Sequence, residues 1–271
     1  MPRWTWAGAR ARGAAHRQVS LPCQDAFACT VWRPEADGGV LIAALADGAG
    51  SAECADAGAW LATAAFVRTL QNHLEGIGFN GDCAVDLLRQ ATEEARTALI
   101  TLAALEGRPP TDFASTFVAC ILDANGGALA QIGDGAAVVS PLAEPDHWHV
   151  ALWPDHGEFV NSTRFLTDDD ALDHLRVVTC PQPVGAVCLF SDGLERMLLD
   201  FAMRRVHAPF FDAVLAQLSA SRSQGEAVCF SEALSELLQS EKVTQRTDDD
   251  TSILCACLQG ITDDVLCSAA L

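Results

Sequence analysis

Basic side chains are scarce in this chain. Its 271 residues include 17 lysines and arginines against 36 aspartates and glutamates, which gives a formal net charge of -19 at pH 7. Nucleic-acid backbones and anionic membranes are bound by basic surfaces, so the charge predicts that neither is a partner. It also means that clustered carboxylates need compensating cations, which divalent metal ions would supply.

Long apolar runs are also missing, although half of the residues are hydrophobic. No stretch approaches the roughly 18 or more apolar residues that cross a bilayer, because acidic residues interrupt the apolar segments. The chain is nevertheless long enough to bury a substantial core. We therefore expect a soluble globular protein, and no linker or internal repeat divides residues 1–271 into separate domains.

The 11 cysteines lack the regular spacing of a disulfide scaffold. Most of them lie within apolar segments, where a free thiol behaves as a small hydrophobic side chain. Cys255 and Cys257 form a Cys-x-Cys pair, but no second pair completes a zinc site. The arginine-containing N-terminus leads into Gln24-Asp25 without a cleavage signature. A reducing, cytoplasmic setting is the simplest interpretation.

The hydrophobic pattern predicts sheets covered by helices. Strands are predicted at about 39–46, 113–122, 128–132, 136–140, 184–190 and 252–258, and helices at about 52–75, 82–106, 193–199, 208–219 and 225–240. The strands between 113 and 140 are so close in sequence that they must pair antiparallel. Residues 141–180 have little regular period and are rich in proline, aspartate and histidine, so we expect a long surface insertion there.

Three acidic turns adjoin predicted buried strands, and each contains one aspartate at the strand edge: Asp47, Asp192 and Asp249. A single Asp-Gly is weak evidence, since it is also a common hairpin turn. Three such turns together predict converging ligands for Mg²⁺ or Mn²⁺, which prefer carboxylate, carbonyl and water oxygens. Two such ions can lower the pKa of a shared water and clamp phosphoryl oxygens. Phosphoester hydrolysis is the reaction that this chemistry favours.

Six short motifs occur in an order that resembles the type 2C, metal-dependent serine/threonine protein phosphatases. They are Gln24-Asp25, Asp47-Gly48-x-Gly50, Ser115-Thr116, Gly133-Asp134, Ser191-Asp192-Gly193 and Asp249-Asp250-x-Ser252. The match runs from about residue 8 to 259, and the segment from His16 to Ala26 is similar to a bacterial subgroup. The resemblance implies an α+β fold, a four-layer α-β-β-α sandwich with two central antiparallel sheets. It implies a single catalytic domain over 1–271, in which residues 141–180 form a flap.

The resemblance also implies a centre of two Mn²⁺ or Mg²⁺ ions in a cleft at the sheet edges, with four catalytic aspartates. Asp47 would bridge the ions and the Gly48 carbonyl would bind one of them. Asp192 and Asp249 would hold the other ion. Asp25 would either ligate directly or orient a metal-bound water.

Two further aspartates have roles outside this set of four under the resemblance. Asp112, just before Ser115-Thr116, is a candidate ligand of a weak third ion, although its spacing differs from the one expected. Asp134 is expected to stabilise a strand turn beside the site rather than bind metal.

Several positions depart from the family pattern. Gln24 replaces a frequent glutamate, which should weaken the second metal site or leave it more hydrated. Ala49 stands where animal members have a histidine proposed as general acid. The phosphate-binding arginine usually lies closer to the first acidic motif than Arg17 does here. Arg17 and the adjacent His16 are both candidates for binding the substrate phosphate.

The activity implied is hydrolysis of phosphoserine and phosphothreonine by direct attack of metal-activated water. The substrate would be a phosphorylated protein, the target of a serine/threonine kinase. One alternative is a catalytically weak module of the same fold that binds phosphoproteins, which the departures at Gln24 and at the phosphate-binding arginine favour. Another is a phosphatase of a small phosphorylated metabolite, since the metal centre does not distinguish leaving groups.

Overall fold

Strands and helices alternate in the structure, a computed structural model that describes residues 2–33, 38–156 and 163–260. In chain order the strands are β1 (Arg3–Ala11), β2 (Ala26–Trp32), β3 (Val40–Ala46), β4 (Phe117–Leu122), β5 (Gly127–Ile132), β6 (Ala136–Pro141), β7 (His149–Leu152), β8 (Arg176–Cys180), β9 (Val184–Phe190), β10 (Leu199–Asp200), β11 (Arg205–Val206), β12 (Gly225–Glu226) and β13 (Thr251–Gln259). The helices are α1 (Ala14–Gln18), α2 (Ala55–Ile77), α3 (Ala84–Glu106), α4 (Glu195–Leu198), α5 (Ala208–Ala220), α6 (Val228–Leu238) and α7 (Glu241–Thr244). Short 3₁₀ turns occupy Gly81–Cys83, Pro110–Phe113, Ala171–His174 and Asp192–Leu194.

The strands form two main sheets and one small hairpin. The six-stranded sheet has the order β12-β1-β13-β9-β6-β7, and the five-stranded sheet has the order β2-β3-β4-β5-β8. Pairing is antiparallel throughout both sheets except between β1 and β12, which are parallel. The hairpin is formed by β10 and β11.

The two sheets pack face to face around a shared apolar core. Trp4, Leu189 and Leu254 of the six-stranded sheet lie in one buried cluster with Leu41 and Leu129 of the five-stranded sheet. Strands covered on both faces read as continuous apolar runs, as in β3 and β9, where every residue is buried. Burial of this apolar surface is the main stabilising term.

Helices cover both outer faces. α2 and α3 pack on the five-stranded sheet through residues such as Phe66 and Leu88. α5 and α6 pack on the six-stranded sheet through Phe211 and Leu234. The order of layers is helix, sheet, sheet, helix, which confirms the predicted four-layer sandwich. No helix within the described residues is both long and apolar enough to cross a membrane.

The segment 141–180 contains more regular structure than its composition predicts. It includes β7 and β8, which form the edges of the two sheets. Both are partly exposed edge strands, so polar residues interrupt the apolar pattern that marks a central strand. Residues 157–162 of the predicted insertion lie outside the described residues.

Two glycines on α2 have opposite surroundings, and they provide a test of the packing. A Cβ at Gly58 would lie 2.2 Å from the carbonyl oxygen of Phe113, whereas a Cβ at Gly76 would meet nothing within 4 Å. Gly58 therefore lets α2 approach the 3₁₀ turn that leads into Ser115-Thr116.

We expect Gly58→Ala to lower the melting temperature, since overpacking costs about 1–3 kcal/mol and exceeds the gain in helix propensity of at most ~1 kcal/mol. Gly76→Ala is the matched control on the same helix and should leave the melting temperature unchanged or raise it. Thermal unfolding followed by circular dichroism measures both. Equal melting temperatures for the two variants would contradict the close approach at Gly58.

Candidate functional site

Strand register brings the turns that carry Asp134, Asp192 and Asp249 together at one end of the six-stranded sheet. Phe190, the last residue of β9, pairs with Ile253 on one side and with Ala136 on the other. Asp192 follows β9, Asp249 precedes β13, and Asp134 precedes β6. Because these neighbouring strands are antiparallel, all three carboxylates lie at the same end of the sheet.

The five-stranded sheet delivers two more acids to the same end. Ala26 of β2 pairs with Ala46 of β3, so Asp25 and Asp47, the residues next to this pair, are neighbours. The Asp47 carbonyl accepts a hydrogen bond from the Thr116 amide at 2.8 Å, and its own amide donates to Thr116 Oγ1 at 3.2 Å. These bonds fix the backbone of the first acidic turn.

Gly48 continues this turn in a crowded position. It forms an isolated bridge with Ser115, and a Cβ there would lie 2.7 Å from the carbonyl oxygen of Ala55 at the start of α2. Because a larger side chain would force Ala55 to shift, glycine at this position lets the turn approach the start of α2.

The sheets are joined at the site by a buried hydrogen bond. Ser191 Oγ donates to Asp25 Oδ2 at 2.7 Å, and the Ser252 amide donates to Ser191 Oγ at 3.0 Å. Asp25 belongs to the five-stranded side, whereas both serines belong to the six-stranded sheet. This chain of bonds holds the two groups of carboxylates in one place.

The carboxylates are close enough to perturb one another strongly. Burial raises the pKa of Asp47 well above its usual range, and the negative charges of Asp25, Asp192 and Asp249 raise it further. Burial raises the pKa of Asp25 to about 7, with an upward effect of the Asp250 charge and a downward effect of the Ser191 hydrogen bond. A site crowded in this way favours a bound cation.

Asp192 and Asp249 are shifted in the same direction. Burial raises the pKa of Asp192 to about 6, and the charges of Asp134 and Asp249 add to the shift. Burial is also the main cause of a raised pKa at Asp249. Asp47 and Asp192 lie within hydrogen-bonding reach of each other. Two carboxyl groups hold such a contact only when one of them keeps its proton or when a cation lies between them.

Buried oxygens without hydrogen-bond partners support a cation rather than a proton. Among the described residues, Gln24 Oε1, Asp25 Oδ1 and Asp192 Oδ1 are buried and accept no hydrogen bond. Unsatisfied buried polar atoms are costly, and oxygens of this kind are the ligands that hard divalent ions prefer. The described side chains contain no group of three or more His, Cys, Asp or Glu already arranged as a metal site. The unpaired oxygens are of the type that hard divalent ions bind, and such ions would need a backbone carbonyl and water as further ligands.

Adjacent acids in the third turn have different surroundings. Asp250 is buried and accepts hydrogen bonds from the Gly13 amide at 2.6 Å and from the Gln24 amide at 2.5 Å. Asp249 lines a cavity together with Asp192. Asp250 therefore anchors the N-terminal segment, while Asp249 is the residue exposed to the cleft.

The two predicted phosphate-binding residues lie on α1 and have other contacts. His16 Nδ1 lies 2.9 Å from Asp250 Oδ2, and the Arg17 guanidinium donates to the carbonyl of Arg12. Arg17 is exposed. A third basic residue, Arg10 on β1, donates to the carbonyl of Asp25 at 2.5 Å. All three side chains help to position the segment that leads to Asp25.

Asp112 forms an ion pair with an arginine. Its Oδ2 lies 3.0 Å from Arg108 Nη1, and the same guanidinium contacts Glu53 at 2.7 Å. The structure instead brings Asp134 to Asp192, whose pKa it raises. The turn between β5 and β6, which carries Asp134, can be located relative to Asp192 only through the pairing of β6 with β9.

Two residues near Asp134 were not predicted as members of the site. Glu195 on α4 is buried, and its Oε2 lies 3.1 Å from Nε2 of His156. Burial raises the pKa of Glu195, His156 lowers it, and Asp192 and Asp134 raise it. The only sequence signal is the position of Glu195 three residues after Asp192, which places it within the same turn.

The raised pKa values predict how the stability of the metal-free protein depends on pH. Between about pH 4 and 7 the folded state retains protons on Asp25 and Asp192 that the unfolded chain has released, so the free energy of unfolding falls as pH rises through this window. We expect chelated protein to melt at a lower temperature at pH 8 than at pH 5. Each pKa unit corresponds to about 1.4 kcal/mol.

The measurement compares melting temperatures of the parent and of Asp25→Asn, both treated with EDTA, across this pH range. Removing the titrating carboxyl should reduce the slope, and Asp173→Asn, which changes an exposed acid, should not. The same slope in the parent and in Asp25→Asn would show that Asp25 does not carry the effect.

The chain is similar to known proteins of one family. A family model described as Protein phosphatase 2C matches residues 12–239. The Serine/threonine-protein phosphatase 3 of Escherichia coli (strain K12) is 31% identical over 258 residues, which cover 93% of this chain and 98% of that protein.

Solved structures show the same fold at lower identity. The serine/threonine phosphatase Stp1 from Staphylococcus aureus has a TM-score of 0.63 at 14% identity and covers 94% of this chain and 95% of its own. The catalytic domain of the serine/threonine protein phosphatase PstP, in complex with 2 manganese ions, has a TM-score of 0.63 at 18% identity, covering 96% and 100%.

The resemblance predicted from the six motifs is thus confirmed, together with its bacterial type and the predicted enzyme class, a phosphoprotein phosphatase. The family match spans most of the described residues and includes Asp25, Asp47 and Asp192. The chain belongs to the protein phosphatase 2C family.

Proposed function

We propose that this protein is a metal-dependent phosphatase that hydrolyses phosphoserine and phosphothreonine in proteins phosphorylated by a serine/threonine kinase. The observation that carries the proposal is the convergence of Asp25, Asp47, Asp192 and Asp249, with buried oxygens that accept no hydrogen bond among the described residues. The E. coli relative is named as a serine/threonine-protein phosphatase, which supports the same substrate class.

The metal centre would be held by the four aspartates and by one backbone carbonyl. Asp47 interacts with both Asp25 and Asp192 and would bridge the two ions, and the carbonyl of the next residue, Gly48, would bind one of them. Asp192 and Asp249 would hold one of the ions from the six-stranded sheet. When bound, Mn²⁺ or Mg²⁺ would supply a water of lowered pKa and neutralise charge on the phosphoryl oxygens. The two manganese ions of the PstP complex support this assignment.

The chain's own residues would orient this chemistry. Ser191 holds one oxygen of Asp25 and leaves the other free to face a ligand. Gln24, at the position of the frequent family glutamate, offers a neutral buried oxygen in place of a charge. Any third ion would lie near Asp134 and Asp192, since the Asp112 carboxylate is paired with Arg108.

The segment 141–180 would shape access to the centre. Thr163 Oγ1 donates to Asp134 Oδ2 at 2.8 Å, and the Leu166 amide donates to the carbonyl of Ser115 at 2.8 Å. These contacts support a flap attached to the edge of the site, within one catalytic domain over 1–271. The described cysteines, all free thiols, support a reducing compartment such as the cytoplasm.

Replacement of Asp192 tests the mechanism. Asp192→Asn keeps the shape of the side chain and removes a ligand charge, so we expect the rate on a phosphothreonine peptide to fall about a thousandfold, or ~4 kcal/mol of transition-state stabilisation. EDTA should abolish turnover by the parent. Phosphate release with added Mn²⁺ measures both, and Asp173→Asn serves as the control.

A second measurement separates loss of metal from loss of fold. Millimolar Mn²⁺ should raise the melting temperature of the parent, because an ion that binds only the folded state stabilises it, and should raise that of Asp192→Asn less. Undiminished activity after chelation would refute the mechanism. A parent that binds phosphopeptide without turning it over would favour the binding module, and faster hydrolysis of small phosphoesters than of phosphopeptides would favour the metabolite phosphatase.

A further inference from the structure

A cleft beside the carboxylates is larger than a phosphate group requires. Asp192 and Asp249 lie on the wall of a cavity of about 710 Å³, whose other walls come from α4, the loop before β13, and His207. Sites that hold a drug-sized ligand have volumes of about 300–1,000 Å³. The cavity therefore has room for residues next to a phosphorylated side chain as well as for the phosphate.

Two arginines on this cleft have guanidinium groups available for a ligand. Arg246 is exposed and makes no side-chain hydrogen bond or ion pair within the described residues. Arg196 has a side chain 90% exposed, and its contact with Glu195 Oε1 is long, at 3.9 Å. By contrast Arg10, Arg12 and Arg17 each donate to a backbone carbonyl. In a chain with a net charge of -19, these are two available cations on one cleft, which four acidic side chains also line.

The acids on the same cleft do not all compete for these arginines. Asp192 and Asp249 belong to the proposed metal centre, and Glu195 contacts His156. Asp248 remains as an exposed acid on the rim. The charges open to a ligand outside the metal centre are therefore two guanidinium groups and one carboxylate.

A second, apolar cavity continues from the first. It has a volume of about 300 Å³ and shares Met197, His207 and Arg246 with the larger cleft. Its walls include Phe210 and Leu237, and Lys242 lies at its edge. A path thus leads from the carboxylates past Arg246 into an apolar chamber between α4, α5 and α6.

We propose that this path, which we call the α4–α7 groove and define by Arg196, Met197, Phe210, Leu237 and Arg246, binds the substrate segment next to the phosphorylated residue. Arg196 and Arg246 bind an acidic side chain, for which a guanidinium gives a planar, bidentate match. The apolar chamber takes a bulky hydrophobic side chain beyond it. This proposal rests on the proposed phosphatase function and adds a substrate class: phosphoproteins with an acidic and then an apolar residue beside the phosphosite.

The test uses phosphothreonine peptides that carry Glu, Gln or Lys at each of several positions on both sides of the phosphosite. para-Nitrophenyl phosphate, which has no flanking residues, reports the metal centre alone. We expect kcat/KM to be about tenfold higher for Glu than for Lys at one or more positions. In the full-length R196E/R246E variant this preference should disappear or reverse, while the rate on para-nitrophenyl phosphate should remain within about twofold of the parent.

Arg89→Glu is the matched control. Arg89 is also exposed and without a side-chain hydrogen bond or ion pair in the described part of the chain, but it lies on α3 on the opposite outer face of the sandwich. It should retain the parent's preference. For the apolar chamber, a bulky hydrophobic residue next to the preferred Glu should lower KM several-fold relative to serine.

Each failure has a distinct result. A preference for Lys in the parent would show that Asp248, not the two arginines, contacts the substrate and would overturn the proposal. An absence of preference, or a preference that R196E/R246E leaves intact, would also overturn it. An equal loss on para-nitrophenyl phosphate and on peptides would show that the arginines bind the phosphate itself. KM values equal for the hydrophobic and serine peptides would remove the apolar chamber from the groove. If the parent with Mn²⁺ hydrolyses neither substrate, the proposed function itself fails.

Discussion

Repulsion among buried carboxylates is the constraint on which this structure depends. Asp25, Asp47 and Asp192 lie close together with pKa values raised by burial and by one another's charge. Such a cluster opposes folding unless protons or cations compensate it. The fold tolerates it because Asp47 and Asp192 come just after β3 and β9, whose residues are all buried, so the apolar core stabilises the arrangement that the charges oppose.

Hydrogen bonds across the sheet interface determine how the charges are held. The bond from Ser191 to Asp25 occupies one carboxylate oxygen, and the Ser252 amide in turn holds Ser191. A hydroxyl can donate to the ionised acid and accept from the backbone at the same time, which an apolar side chain cannot do. The small polar residues beside the acidic motifs therefore fix the geometry of the cluster, and they keep the remaining oxygens available.

Much of the architecture could be predicted from the sequence because central strands such as β3 and β9 are continuous apolar runs ending in acidic turns. Edge strands were harder to predict. β7 and β8 carry mixed patterns since they are partly exposed, and β12 is only two residues long, so its segment was assigned to a helix. The predicted strand from 113 begins later, at Phe117, because Pro110–Phe113 forms a 3₁₀ turn.

The site could be predicted only as far as the turns. In Asp248-Asp249-Asp250 three identical side chains follow one another, and local sequence does not show which one faces inward. The register of β13 with β1 and β9 decides this, by directing Asp250 towards Gly13 and Gln24 and leaving Asp249 on the cleft. One consequence is that the turn that carries Asp249, the proposed metal ligand, also holds the N-terminal segment through Asp250. The Asp250 carboxylate accepts hydrogen bonds from the amides of Gly13 and Gln24, so the residue before Asp25 and the residue after Asp249 are fixed to each other.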